Sequence, residues 1–84
     1  MKITFSDTAN RQFEYWQKHD KKIFKKILEL IEAVVQNPFQ GIGKPEALKH
    51  DFRGYWSRRI TKEHRLVYKV SENSILIASC QYHY

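Results

Sequence analysis

An α+β fold, with two N-terminal helices packed on a mainly antiparallel four-stranded sheet, is what the sequence predicts, and three observations predict it. Apolar residues in the first half recur at helical spacing. Those after residue 54 alternate with polar ones, as strand residues do. Between the two regions, residues 37–54 hold both prolines and all three glycines and show no period. With 84 residues the chain is about half of the ~150 that a domain commonly takes, so residues 1–84 are read as one domain. Its 42% apolar and 14% aromatic content suffices for a core and excludes a disordered chain.

In chain order, Ile3 and Phe5 alternate with Lys2 and Thr4 in a short strand. Ser6 follows as an N-cap, and Asp7 brings a carboxylate to a first turn where the helix dipole favours one. Over residues 7–18, Ala9, Phe13 and Trp16 recur at i, i+4, i+7 and make one buried stripe. Asp20 then caps a second helix, whose Ile23, Ile27, Leu30, Ile31 and Val34 form an apolar face that stops before Pro38. Lys21, Lys22, Lys25 and Lys26 open this helix at the end where its dipole disfavours cations. They form either a solvated face opposite the stripe or a ligand-attracting one. Residues 37–54 read as a long irregular loop, a feature uncommon in a small domain and often functional. Residues 55–60, 64–70 and 74–84 read as three strands joined by connections of hairpin length.

Composition excludes several functions. No apolar run approaches the ~20 residues that span a bilayer, and residues 1–4 lack the apolar stretch of a signal peptide, so a cytoplasmic location is expected. The single Cys80 rules out an internal disulfide and a Cys-rich zinc site, and three glycines are too few for either common nucleotide-binding loop. No metal and no cofactor are expected. The charge is +6, and residues 44–69 hold eight Lys or Arg against three Asp or Glu. A positive excess gathered in one third of a small domain suits a polyanion, since neutralised phosphates release counterions. An acidic protein would fit the same patch, and a plain solubility charge is the bland alternative.

Within that region the strand reading places Arg59 on one face with Tyr55 and Ser57, and Arg65 on one face with Val67 and Lys69. Each guanidinium suits phosphate oxygens bidentately, or else pairs internally with Glu46, Asp51 or Glu63. Glu46 follows Pro45 in the loop, between Lys44 and Lys49. The tail 79–84 continues an apolar strand and holds Tyr82 and Tyr84, a composition that argues for an ordered end and makes His83 a candidate acid or base. His19, His50 and His64 occupy a helix end, a loop and a strand start, common sites for structural histidine. Together these groups meet the needs of RNA cleavage through the ribose 2′-hydroxyl: a base, an acid, cations for the phosphorane, and an aromatic such as Tyr84 to stack a nucleobase. A non-catalytic RNA- or ribosome-binding module would need the cations without the base and acid. A protein-binding domain would need only the charge.

The runs Tyr15-Trp16, Asn37-Pro38-Phe39, Gly43-Lys44-Pro45-Glu46, Leu48-Lys49-His50, Trp56-Ser57-Arg58-Arg59-Ile60, Glu63-His64-Arg65-Leu66-Val67-Tyr68 and Tyr82-His83-Tyr84 resemble the YoeB-type toxins (Txe/YoeB) of the RelE superfamily over essentially the whole chain. Ile42 stands where that pattern leads one to expect a basic residue, and Ala47 where it leads one to expect a proline. The resemblance implies a small RelE-like ribonuclease fold and a toxin that cleaves mRNA in the ribosomal A site. It also implies neutralisation by a YefM-type antitoxin and leaves a homodimer open. By motif, Glu46 resembles the general base, His83 the general acid, Arg65 the transition-state cation and Tyr84 a terminal group needed for activity. Lys49 and Arg59 resemble phosphate contacts, with Lys44 beside them as a further RNA contact.

Overall fold

A computed structural model describes residues 1–82. Strand β1 (Lys2–Phe5) leads into helices α1 (Asp7–His19) and α2 (Lys21–Gln36). After a loop come β2 (Glu46–Ala47), a single 3₁₀ turn at His50–Phe52, and the strands β3 (Tyr55–Arg59), β4 (Arg65–Val70) and β5 (Ser74–Ser79). Both helices start where the capping residues place them. Ser6 Oγ accepts the Ala9 N–H at 3.0 Å, and Asp20 Oδ1 accepts the Ile23 N–H at 3.2 Å, each satisfying an amide that the first turn leaves free. Ser6 Oγ also donates to the Ala78 carbonyl at 2.7 Å, which ties the start of α1 to β5. Of the lysines that open α2, Lys21, Lys22 and Lys25 are exposed, on the solvated side of the helix.

The sheet has five strands in the order β1-β5-β4-β3-β2, one more than the four expected. The addition is β2, two residues long, which pairs Glu46 with Ser57 and Ala47 with Trp56. Two residues carry no readable alternation, so this strand leaves no mark in the sequence. The pairings are antiparallel except for β1, which runs parallel to β5 at the edge. The last strand also ends earlier than expected, at Ser79 rather than within the tail. Its ladder is cut by side chains of α1: Gln12 Oε1 accepts the Cys80 N–H at 2.7 Å, and the Trp16 indole donates to the Cys80 carbonyl at 2.9 Å.

One face of the sheet lies under the helix pair. Ala9, Trp16, Ile27, Leu30 and Val34 from the helices meet Ile60, Leu66, Tyr68, Ile75 and Ile77, all buried. Phe13 sits between Phe5 and Phe24, with ring centroids 5.1 and 4.7 Å away, and joins strand, first helix and second helix in one aromatic row.

The largest buried side chain on that face is charged. Arg58 is fully buried beside Tyr68, its Nε donating to the Tyr68 hydroxyl at 3.1 Å. Its two terminal nitrogens reach the carbonyls of Asn37 (2.6 Å), Gln40 (3.1 Å) and Ile42 (3.1 Å). Tyr68 in turn donates to the Pro38 carbonyl at 2.7 Å. Burial pushes the Tyr68 phenol above its usual range, and the adjacent guanidinium offsets part of that rise. The loop that looked irregular is thus wound around a buried cation. Gly43 completes the fastening: its carbonyl accepts the Arg59 N–H at 2.7 Å, and a β-carbon there would lie 2.8 Å from Leu30 Cδ2. Its φ of +83° also falls where L-residues are strained.

Candidate active site

Alternation along β3 and β4 sends Arg58, Leu66 and Tyr68 towards the helices and Tyr55, Ser57, Arg59, Arg65, Val67 and Lys69 to the other face. Cross-strand partners share a face, so the register decides what meets what. Glu46 is opposite Ser57, and Ser57 is opposite Val67. One pair further along, Arg59 is opposite Arg65. Directly opposed residues carry their β-carbons about 5 Å apart, and like charges so placed repel. The arrangement therefore stores a concentrated positive potential next to the strand that bears Glu46.

The cation is also fixed in place. Arg65 donates through one terminal nitrogen to the carbonyls of Thr61 (2.9 Å), Lys62 (3.2 Å) and His64 (3.2 Å). Three carbonyls of the β3–β4 turn thus hold the guanidinium at its side, and it spends little conformational entropy when it meets an anion. Arg59 is exposed and so is Glu46.

Glu46 owes its place to the loop before it. Behind it lies Gly43, bonded to β3, followed by Lys44 at φ +51° and Pro45. Ahead of it, the Leu48 N–H donates to the Tyr55 carbonyl at 2.9 Å and the Leu48 side chain is buried. Glu46, Ala47, Leu48, Lys49 and His50 line an open cleft. His50 has φ +58°, so two non-glycine residues beside the carboxylate adopt the sparsely populated left-handed conformation. Lys44 and Lys49 are exposed on either side of Glu46.

The structure thus brings Glu46, Arg59 and Arg65 to one sheet face, flanked by Lys44 and Lys49. His83 and Tyr84 lie outside the described residues. The chain leading to them is anchored beside Arg65: the Arg65 N–H donates to the Tyr82 carbonyl at 3.1 Å, and the Tyr82 N–H donates to His64 Nδ1 at 2.8 Å. Sequence reasoning passed over Arg58 and ranked His64 low. For Arg58 a signal existed, because alternation along residues 55–60 puts it on a strand face with Trp56 and Ile60. For His64 none did, since its partners are a backbone amide and a tryptophan far away in the chain.

A helix pair on one face of a mixed five-stranded sheet is the architecture of a class of small bacterial toxins. The YoeB/ParE toxin from Agrobacterium tumefaciens superposes with a TM-score of 0.97 at 44% identity, each chain fully covered. Toxin YoeB of Escherichia coli K12 is 56% identical over 84 residues, covering all of both chains. For Staphylococcus aureus, a YoeB dimer (TM-score 0.93) and a heterotetrameric YoeB-YefM toxin-antitoxin complex (TM-score 0.92) are each 54% identical, over all of this chain and 98% of theirs. The chain belongs to the YoeB-like toxins of bacterial type II toxin-antitoxin systems, whose family profile matches residues 5–84.

Proposed function

We propose that this toxin is a ribosome-dependent endoribonuclease that cuts mRNA in the A site and so stops translation in the cytoplasm. The observation that carries the reading is the placement of Glu46 beside the opposed Arg59 and Arg65 on an open, cationic sheet face. A binding module gains nothing from a carboxylate set among phosphate-seeking cations, whereas a nuclease needs a base there.

In the reaction, the Glu46 carboxylate takes the proton of the ribose 2′-hydroxyl, and the 2′-oxygen forms a new bond to phosphorus. The bond from phosphorus to the 5′-oxygen breaks, His83 protonates that leaving oxygen, and the products are a 2′,3′-cyclic phosphate and a 5′-hydroxyl. Arg65, held by its turn, meets the charge that grows on the phosphorane oxygens. Arg59, Lys44 and Lys49 bind neighbouring phosphates, and Tyr84 stacks a base. A YefM-type antitoxin and a second copy of the chain are its proposed protein partners, as in the S. aureus relatives.

Sequencing RNA ends after incubation with programmed ribosomes tests the reading. New ends within the A-site codon that require both Glu46 and the ribosome are expected. Ribosome binding without any new ends would leave a non-catalytic binding module instead.

A further inference from the structure

Chain ends of small domains usually fray. Here the segment 80–82 has four backbone groups bonded in succession. The Cys80 N–H goes to Gln12 Oε1 (2.7 Å), the Cys80 carbonyl takes the Trp16 indole N–H (2.9 Å), the Tyr82 N–H goes to His64 Nδ1 (2.8 Å), and the Tyr82 carbonyl takes the Arg65 N–H (3.1 Å). Tyr82 has φ +62°, a conformation a tyrosine keeps only when its surroundings impose it. The last two of those bonds come from adjacent residues, His64 and Arg65.

His64 is itself held at its ring and at its backbone. The residue is 9% exposed, and its ring meets the Trp16 indole edge-on at 4.8 Å between centroids. Its backbone N–H donates to Thr61 Oγ1 at 3.2 Å, and its carbonyl accepts from the Ile60 N–H (3.0 Å) as well as from Arg65. In this bond the ring serves as acceptor through the Nδ1 lone pair. A histidine so placed does no work on the open sheet face. Its lone pair is aimed at the backbone one residue before His83.

We infer that His64 is a positioning residue: through Nδ1 it fixes the Tyr82 amide and thereby sets where the chain delivers residue 83 relative to Arg65. The inference rests on the proposed role of His83 as general acid. Because acid, base and cation must be placed to within a fraction of an ångström, release of this one bond lowers turnover while leaving the phosphate contacts that bind ribosome and RNA intact.

The test compares His64→Phe, His64→Gln and His64→Asn with the unchanged protein. Phe keeps a ring against Trp16 and removes the acceptor. Gln moves the acceptor oxygen one carbon outwards, whereas Asn carries it on Cγ, where Nδ1 is bonded. Two readouts are needed, ribosome-dependent cleavage and hydrogen exchange of the Tyr82 amide. For Phe and Gln, kcat should fall roughly 10- to 100-fold with KM nearly unchanged, and the Tyr82 amide should lose protection. Asn should restore both. If Phe does not fold, the Gln and Asn pair decides alone.

Full turnover with an unprotected Tyr82 amide would overturn the inference, and so would an Asn variant as slow as Gln. His83→Gln separates this from the parent reading. If that variant cleaves normally while His64→Gln is slow, the assignment of the acid fails and the anchoring role stands. Should even the unchanged protein fail to cleave, the ribonuclease reading falls, and the exchange data still decide whether His64 holds the tail.

Discussion

The two faces of the sheet use arginine in opposite ways, and Arg58 and Arg59 show it within one dipeptide. Arg58 points under the helices and is fully buried, its charge spread over three loop carbonyls and a phenol. Arg59 points outwards, stays exposed and opposes another arginine. On the covered face, hydrogen bonds to the cation fix a loop; on the open face, like charges stay close together for a partner yet to arrive. Position on the strand, not residue type, divides structure from chemistry here.

Variants on each face sharpen that contrast, and Arg58→Met should show the largest effect. Removing the guanidinium strands the oxygens of Asn37, Gln40, Ile42 and Tyr68. A loss on the order of 3–5 kcal/mol in urea unfolding is expected, with activity lost as the loop that carries Glu46 loosens. A loss below about 1 kcal/mol would mean that Arg58 does not organise this loop.

On the open face, Arg65→Ala should do the reverse. Turnover on programmed ribosomes should fall about 10²- to 10³-fold, while the unfolding midpoint stays close to that of the unchanged protein. A weaker affinity at unchanged turnover would make Arg65 a phosphate anchor only. Gly43→Ala joins both faces, because its β-carbon would press on Leu30 and lie 3.1 Å from Arg58 Cβ at a φ of +83°. A cost of about 2 kcal/mol is expected, together with a shift of the Glu46 strand visible as changed amide resonances for residues 46–48.

Alkaline pH probes the covered face without any substitution there. Burial pushes the Cys80 thiol up from 9.0 to about 12, and Tyr68 also ionises later in the fold than its ordinary 10.0. Above pH 9 the unfolded chain loses the Cys80 proton while the folded chain keeps it, so stability is full below 9 and falls as pH rises towards 12. The slope should reach at most about 1.4 kcal/mol per pH unit from this thiol. Cys80→Ala should flatten that limb in denaturation series between pH 8 and 11, leaving only the part due to Tyr68.

Most of the fold was legible because helical spacing and N-caps are local signals. Ser6 and Asp20 mark both helix starts, and the faces of α1 and α2 follow from periodicity. What escaped depends on contacts distant in sequence. The strand that should have run to the end of the chain stops because Gln12 and Trp16 take over the backbone of Cys80, residues more than sixty positions away. The loop looked formless because its organiser, Arg58, enters from β3 and meets the loop through its backbone carbonyls, which every residue carries alike. In the candidate site, Glu46, Arg59 and Arg65 were found by residue type and motif. That Glu46 shares the face of the paired Arg59 and Arg65 rests on the register of a two-residue strand, which no periodicity reports.

Strand β1 has consequences for how the chain matures. Among the described residues its only ladder partner is β5, with Lys2 opposite Ser74 and Phe5 opposite Ile77. A parallel pairing across such a separation closes the largest loop in the fold and comes late, since its entropy cost precedes any reward from contact. While the chain is being made, α1 and α2 emerge with their apolar faces uncovered and wait for β4 and β5. The part of the sheet that bears Glu46 and Arg65 is built from the shorter antiparallel links β2–β3 and β3–β4 and does not wait for this last one.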